Sequence, residues 1–175
     1  ADTFDWKTRT GSYLGPSFLI DFLTPDEYWH FVGQTYDLDE ATVNERLQAF
    51  TDFYVDEPIG DTTKYIRDLS TGNKNKAGLI AALLPEPDLL VFDEPFASLD
   101  PRSQIQLKEI LQERRGEATM LISSHDLGHV TDVSDRIAIL EDGKIVRDEP
   151  TDPDTLEELT TYFAETIRPK EEAVA

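Results

Sequence analysis

Two adjacent carboxylates close an apolar run in Leu89-Leu90-Val91-Phe92-Asp93-Glu94-Pro95. Four apolar residues followed by two acids and a proline predict a buried parallel strand that ends abruptly. Ligands of open α/β sheets bind beyond the carboxyl ends of their strands, so Asp93 and Glu94 fall where chemistry would take place. Such a pair can divide labour: one carboxylate holds Mg²⁺ through its water shell while the other polarises an attacking water. An isolated acidic pair is more often a plain polar strand end. The surroundings of this one argue for a site.

Upstream, Leu69-Ser70-Thr71-Gly72-Asn73-Lys74 leads into the apolar-rich Ala77–Leu84. Ser70 is a good N-cap, and Gly72 lets a phosphate approach the N–H groups of the first turn. Downstream, Ala97-Ser98-Leu99-Asp100-Pro101 predicts a helix capped by Asp100 with Pro101 in its first turn. A short strand, Thr119–Ser124, then delivers His125 at its carboxyl end.

This order and spacing resembles the ATP-binding cassette (ABC) ATPases. Leu69–Asn73 is similar to the family signature LSGGQ, Leu89–Glu94 to the Walker B strand, Ser98-Leu99-Asp100 to the D-loop, and His125 to the switch histidine. Thr71 replaces the first signature glycine and Asn73 the glutamine. The resemblance implies two cassettes facing head to tail, with ATP held between the P-loop of one and the Ser70–Asn73 helix start of the other. It implies that Asp93 serves Mg²⁺ through water, that Glu94 orients and deprotonates the attacking water, and that His125 reaches the γ-phosphate. Ser70, Thr71, Gly72 and Asn73 then contact ATP, and Asp100 links the sites across the interface.

Two family features are missing. The chain contains no G-x-x-x-x-G-K-[ST] loop, and Thr71-Gly72-Asn73-Lys74 lacks the first glycine and the following hydroxyl. Gly15, Pro16 or Ser17 stands where the family carries its Q-loop glutamine, and Gln34 comes too late. The expectation is a Walker A-less part of a cassette, either a fragment or a shortened gene product.

Composition narrows the classes. Asp and Glu total 36 against 16 Lys and Arg in 175 residues, a formal charge of -20. Such a surface repels phosphate backbones, so no nucleic-acid partner is expected. It suits a salt-rich cytoplasm, or simply an acidic soluble protein. Cysteine is absent, which excludes disulfides and thiolate metal sites. No apolar run approaches the ~20 residues needed to span a bilayer.

The fold class expected is α/β: a partial P-loop NTPase-type core with mostly parallel strands, plus a helical subdomain. Residues 1–20 form a remnant of the core and Q-loop region, and 21–84 the helical subdomain with the signature. Residues 85–150 hold the ATPase core, and 151–175 a C-terminal helix and tail. Thr24-Pro25-Asp26-Glu27 is a capping box opening a helix to Tyr36, with Tyr28, Phe31, Val32 and Tyr36 at helical spacing. Asp37 or Asp39 caps a second, carrying Val43, Leu47, Phe50 and Tyr54. In the family this subdomain receives a coupling helix, and Trp29 and His30 are candidates to line that groove. Core packing is the alternative. The helix after Asp100 is expected to turn Ile105, Ile110 and Leu111 inward and to end at Gly116. His129 is expected on the surface without an acidic partner. Asp142-Gly143 marks a hairpin, and Thr155–Ile167 a last amphipathic helix.

The resemblance implies the ATP-hydrolysing subunit of an ABC membrane transporter, with the Phe18–Leu38 stretch leaning towards an exporter. Its expected partners are a transmembrane permease subunit and a second cassette, identical or not. Its expected place is cytoplasmic, peripheral on the inner face of the membrane. Two other readings stay open: a soluble ABC ATPase acting on ribosomes or DNA, and a non-catalytic module contributing only its signature face.

Overall fold

A computed structural model describes residues 6–167, which divide along the chain into two compact units, one ending at Ser124 and the next beginning at His125. In the first unit, strands β1 (Thr10–Tyr13), β2 (Leu89–Asp93) and β3 (Thr119–Ser123) form a parallel sheet in the order β1-β2-β3. The acidic pair thus ends the central strand. Leu90 and Phe92 are buried on β2, as its apolar run predicts.

Helices α1 (Pro25–Thr35), α2 (Glu40–Leu47), α3 (Thr71–Leu83) and α4 (Pro101–Glu113) complete this unit. Each begins on a local side-chain cap. Thr24 and Glu27 close the capping box of α1, Asp39 accepts from the Thr42 N–H at α2, Ser70 caps α3, and Asp100 caps α4. Helix α3 is buried on nearly all sides from Asn75 to Leu83, which is why it lacks a polar face. Pro85 and Pro87 then stop it. The intervening turn is held by Glu86, whose carboxylate lies 3.1 Å from both Arg46 and Arg114.

Three packing expectations change. The inward face of α1 centres on Trp29, not on Phe31, which is 46% exposed. Trp29 is fully buried, donates Nε1–H to the Ala77 carbonyl at 2.9 Å and meets the Tyr54 ring edge-on. It is therefore a core residue and lines no groove. His30 is half-buried, with its ring nitrogens 2.8 Å from the Asp26 carbonyl and 3.1 Å from Asn44 Oδ1. On α4, Ser103, Leu107 and Leu111 face inward. Ile105 lies two residues, about 200° of helix, from Leu107 and is exposed.

The second unit holds α5 (Leu127–Val133), an antiparallel hairpin of β4 (Arg136–Glu141) and β5 (Lys144–Pro150), and α6 (Thr155–Ile167). Asp142 and Gly143 both have positive φ, as the two-residue turn requires. Ile137, Ile139 and Leu159 form its core, with Leu127, Val130, Tyr162 and Phe163 packed around them.

Candidate functional site

Asp93 is the last residue of β2 and stands opposite Ser123 in the strand register. The Ser123 hydroxyl donates to Asp93 Oδ1 at 2.5 Å and accepts the Glu94 N–H at 3.1 Å. The Glu94 N–H also reaches the Ser123 carbonyl, at 3.2 Å. Glu94 itself has φ +48°, so the chain leaves the strand direction at once. One serine on the neighbouring strand therefore holds the Asp93 carboxylate and the Glu94 backbone.

The chain after Glu94 folds into a tight turn. Ala97 donates to the Glu94 carbonyl, Ser98 takes φ +60°, and Phe96 and Leu99 anchor the turn in the core. Such left-handed residues cost of order 1 kcal/mol each and persist only where surrounding contacts fix them.

Those contacts come from α3. Ser70 Oγ accepts the Asn73 N–H at 3.3 Å, closing the helix start. Gly72 lies against the Ser98 carbonyl, and a Cβ there would sit 2.9 Å from that oxygen. Thr71 is exposed, and the first turn of α3 contains no acid, so its N-terminal dipole is left to attract anions. The residues expected to form the signature and the D-loop are thus in direct contact.

Asp100 is engaged within the fold. Its carboxylate accepts the Ser103 hydroxyl at 2.6 Å and the Ser103 N–H at 3.1 Å, and Lys76 Nζ lies 3.7 Å away. The Ser103 hydrogen bonds, with Lys76 adding to them, hold its carboxyl below the usual range.

His125 is exposed and belongs to the second unit. The next residue, Asp126, caps α5 through the His129 N–H. His129 Nε2 lies 3.8 Å from Asp126 Oδ2, and its side chain is only 16% exposed. The expectation of a surface histidine without an acidic partner is corrected: an i,i+3 contact on the first turn of α5 supplies one.

Sequence reasoning missed Ser123, Asn75, Lys76 and Tyr13. Asn75 and Lys76 carried a signal, since two polar residues inside an apolar helix must find partners when buried. Where the Q-loop glutamine was sought, Gly15 has φ +109°, a backbone that a glutamine adopts only under strain.

The donor set suits a hard cation. An exposed carboxylate with a hydroxyl beside it can serve Mg²⁺, which keeps most of its waters and takes one or two protein oxygens besides substrate phosphates.

A parallel sheet with an acidic pair ending its central strand, and a helix start closed on the following turn, defines a P-loop NTPase-type α/β core. The chain belongs to the AAA-domain family: a family model described as "AAA domain, putative AbiEii toxin, Type IV TA system" matches residues 19–130, and the relatives and solved structures it is similar to are ATP-binding proteins of ABC transporters. It is 29% identical over 141 residues to an uncharacterised ABC transporter ATP-binding protein of Synechocystis sp., covering 80% of this chain and 40% of that protein. It is 29% identical over 148 residues to the osmoprotectant import ATP-binding protein OsmV of Salmonella typhimurium, covering 83% and 39%. Among solved structures, the ATP-binding subunit of an ABC transporter superposes with a TM-score of 0.75 at 26% identity, covering 90% of this chain and 64% of that one. The chain thus spans about two fifths of the length of these curated relatives.

Proposed function

We propose that this chain carries the water-activating and signature-bearing elements of an ABC-type ATP hydrolase that energises membrane transport. The observation that carries the reading is the Ser123 bridge, which fixes Asp93 and Glu94 at the carboxyl end of the central strand. In this reading Asp93 is the residue that would hold Mg²⁺, which when bound would supply charge neutralisation at the phosphates. Glu94 orients the attacking water and takes its proton. Ser70, Thr71, Gly72 and Asn73 offer the N-terminus of α3 to the γ-phosphate of a second cassette, identical or not. Asp100, from its cap position, steadies the turn that meets that partner. His125 stabilises charge developing on the γ-phosphate.

No G-x-x-x-x-G-K-[ST] loop occurs among the 175 residues, so in this reading it is supplied from outside them. The same observation favours a second reading, in which this chain lends only its signature face to ATP held elsewhere. Phe18 and Phe22, 70% and 63% exposed after β1, offer apolar area for a partner. In this reading that partner is a transmembrane permease subunit, and the protein works peripherally on the inner face of the membrane. No described helix is long and apolar enough to cross a membrane.

The roles of the two acids separate in a binding experiment on the protein assembled with a P-loop-bearing segment. Asp93→Asn should remove the Mg²⁺-dependent part of ATP affinity, whereas Glu94→Gln should leave it intact. Equal Mg²⁺ dependence in Asp93→Asn and the parent would exclude the metal role.

A further inference from the structure

Helix α3 is gripped from two sides. On one side lies β1: a Cβ at Gly11 would run into the Ala82 carbonyl, and one at Gly78 would meet the Tyr13 ring at 2.6 Å. On that seat the buried Tyr13 hydroxyl donates to Asn75 Oδ1 at 2.6 Å. Asn75, 3% exposed, passes the contact on, its Nδ2 donating to the Ala97 carbonyl at 2.6 Å. A carbonyl only accepts, so the amide nitrogen faces Ala97, the amide oxygen faces Tyr13, and the phenol is the donor. Burial raises the Tyr13 pKa, which keeps that proton in place.

On the other side lies the turn after the acidic pair. Gly72, Asn75 and Lys76 follow at i, i+3 and i+4, one face of the helix. Gly72 receives the Ser98 carbonyl, Asn75 holds Ala97, and Lys76 reaches Asp100 at 3.7 Å with its Nζ over the Phe53 ring, 5.5 Å from the centroid. The turn from Ala97 to Asp100 is therefore held at both ends by consecutive residues of α3.

We propose that Asn75 is a positioning residue, whose amide ties the end of β1, through the Tyr13 hydroxyl, to the Ala97–Ser98 turn following Asp93 and Glu94. The consequence for turnover rests on the ATPase reading above. A shift of the segment after Tyr13, where a partner would dock, reaches the turn and the start of α3 together. The bond between Tyr13 and Ala97 runs through a single amide, so removing either contact uncouples the two ends.

Tyr13→Phe removes one oxygen and leaves the ring against Gly78. Amide exchange of the 175-residue chain, followed by NMR, should speed up at Ala97 and Leu99, which donate to the Glu94 and Phe96 carbonyls. The expected change is about fivefold, the scale of one neutral hydrogen bond, while the Leu79–Leu83 amides keep their protection. In an Asn75→Leu background the further Tyr13→Phe change should alter these two amides by less than about twofold. Unchanged exchange at Ala97 and Leu99 in Tyr13→Phe would overturn the relay. So would an equal effect in both backgrounds, or a uniform loosening of α3, which marks a packing residue. Should Asn75→Leu not fold, the single Tyr13→Phe comparison decides. None of these readouts needs nucleotide, so failure of the relay and failure of the ATPase reading are told apart.

Discussion

Asp93 and Ser123 stand opposite each other across β2 and β3, and the Ser123 hydroxyl bridges the Asp93 carboxylate to the Glu94 N–H. The serine is thereby both donor and acceptor at the point where the strand becomes the turn. Ser123→Ala should cost about 1 kcal/mol of folding stability, since the side-chain bonds are partly exposed to water. Urea denaturation of the two chains measures it. An unchanged midpoint would mean that water replaces the hydroxyl without loss.

Gly72 offers a test of sign. In an ordinary helix, replacing glycine with alanine stabilises by up to about 1 kcal/mol. Here the new Cβ would sit 2.9 Å from the Ser98 carbonyl, a backbone atom that cannot simply rotate away. Gly72→Ala should therefore destabilise, by about 1–3 kcal/mol. A rise in the denaturation midpoint would show that the turn is free to retreat from α3.

The helix starts were legible because their signals are local. Thr24 with Glu27, Ser70 with Asn73 and Asp100 with Ser103 are contacts three residues apart, and the Asp142-Gly143 turn depends only on its own φ angles. Ser123 was not legible as a partner of Asp93, because a contact across thirty positions depends on strand register. Ile105 and Phe31 were given the wrong phase: their spacing is helical, but the face that docks is set by Leu107 and Trp29, the residues with something to pack against. Asn75 and Lys76 needed the position of the following turn before their burial made sense. His129 and Asp126 lie three residues apart, so their contact is local and legible in the sequence.

Asp100 predicts a pH dependence. Ser103 and Lys76 hold its carboxyl below the usual range, so the contribution to stability is present above the unfolded pKa of about 4 and disappears as pH falls through the lower folded value. The stability difference between the parent and Asp100→Asn should be largest near neutrality and shrink below about pH 4. Denaturation midpoints at several pH values give the curve. A difference that stays constant into acid would assign the effect to geometry instead of charge.

The charge of -20 predicts a salt response. At ~0.01 M salt the Debye length is ~30 Å, so carboxylates across each unit repel one another, and at ~1 M it falls to ~3 Å. Melting temperature should rise markedly between dilute buffer and molar KCl. A flat response would leave an acidic surface without adaptation to salt.

The most direct test of the central claim is ATP turnover by Glu94→Gln in the protein assembled with a P-loop-bearing segment. The amide keeps the size and hydrogen bonding of the side chain but cannot take the proton of the attacking water. Turnover should fall by ~10²–10⁴-fold, the usual contribution of a general base, while ATP binding persists and the bound nucleotide holds two cassettes together. Hydrolysis at the parental rate with Mg²⁺ present would make Glu94 an ordinary strand-end carboxylate and contradict the account.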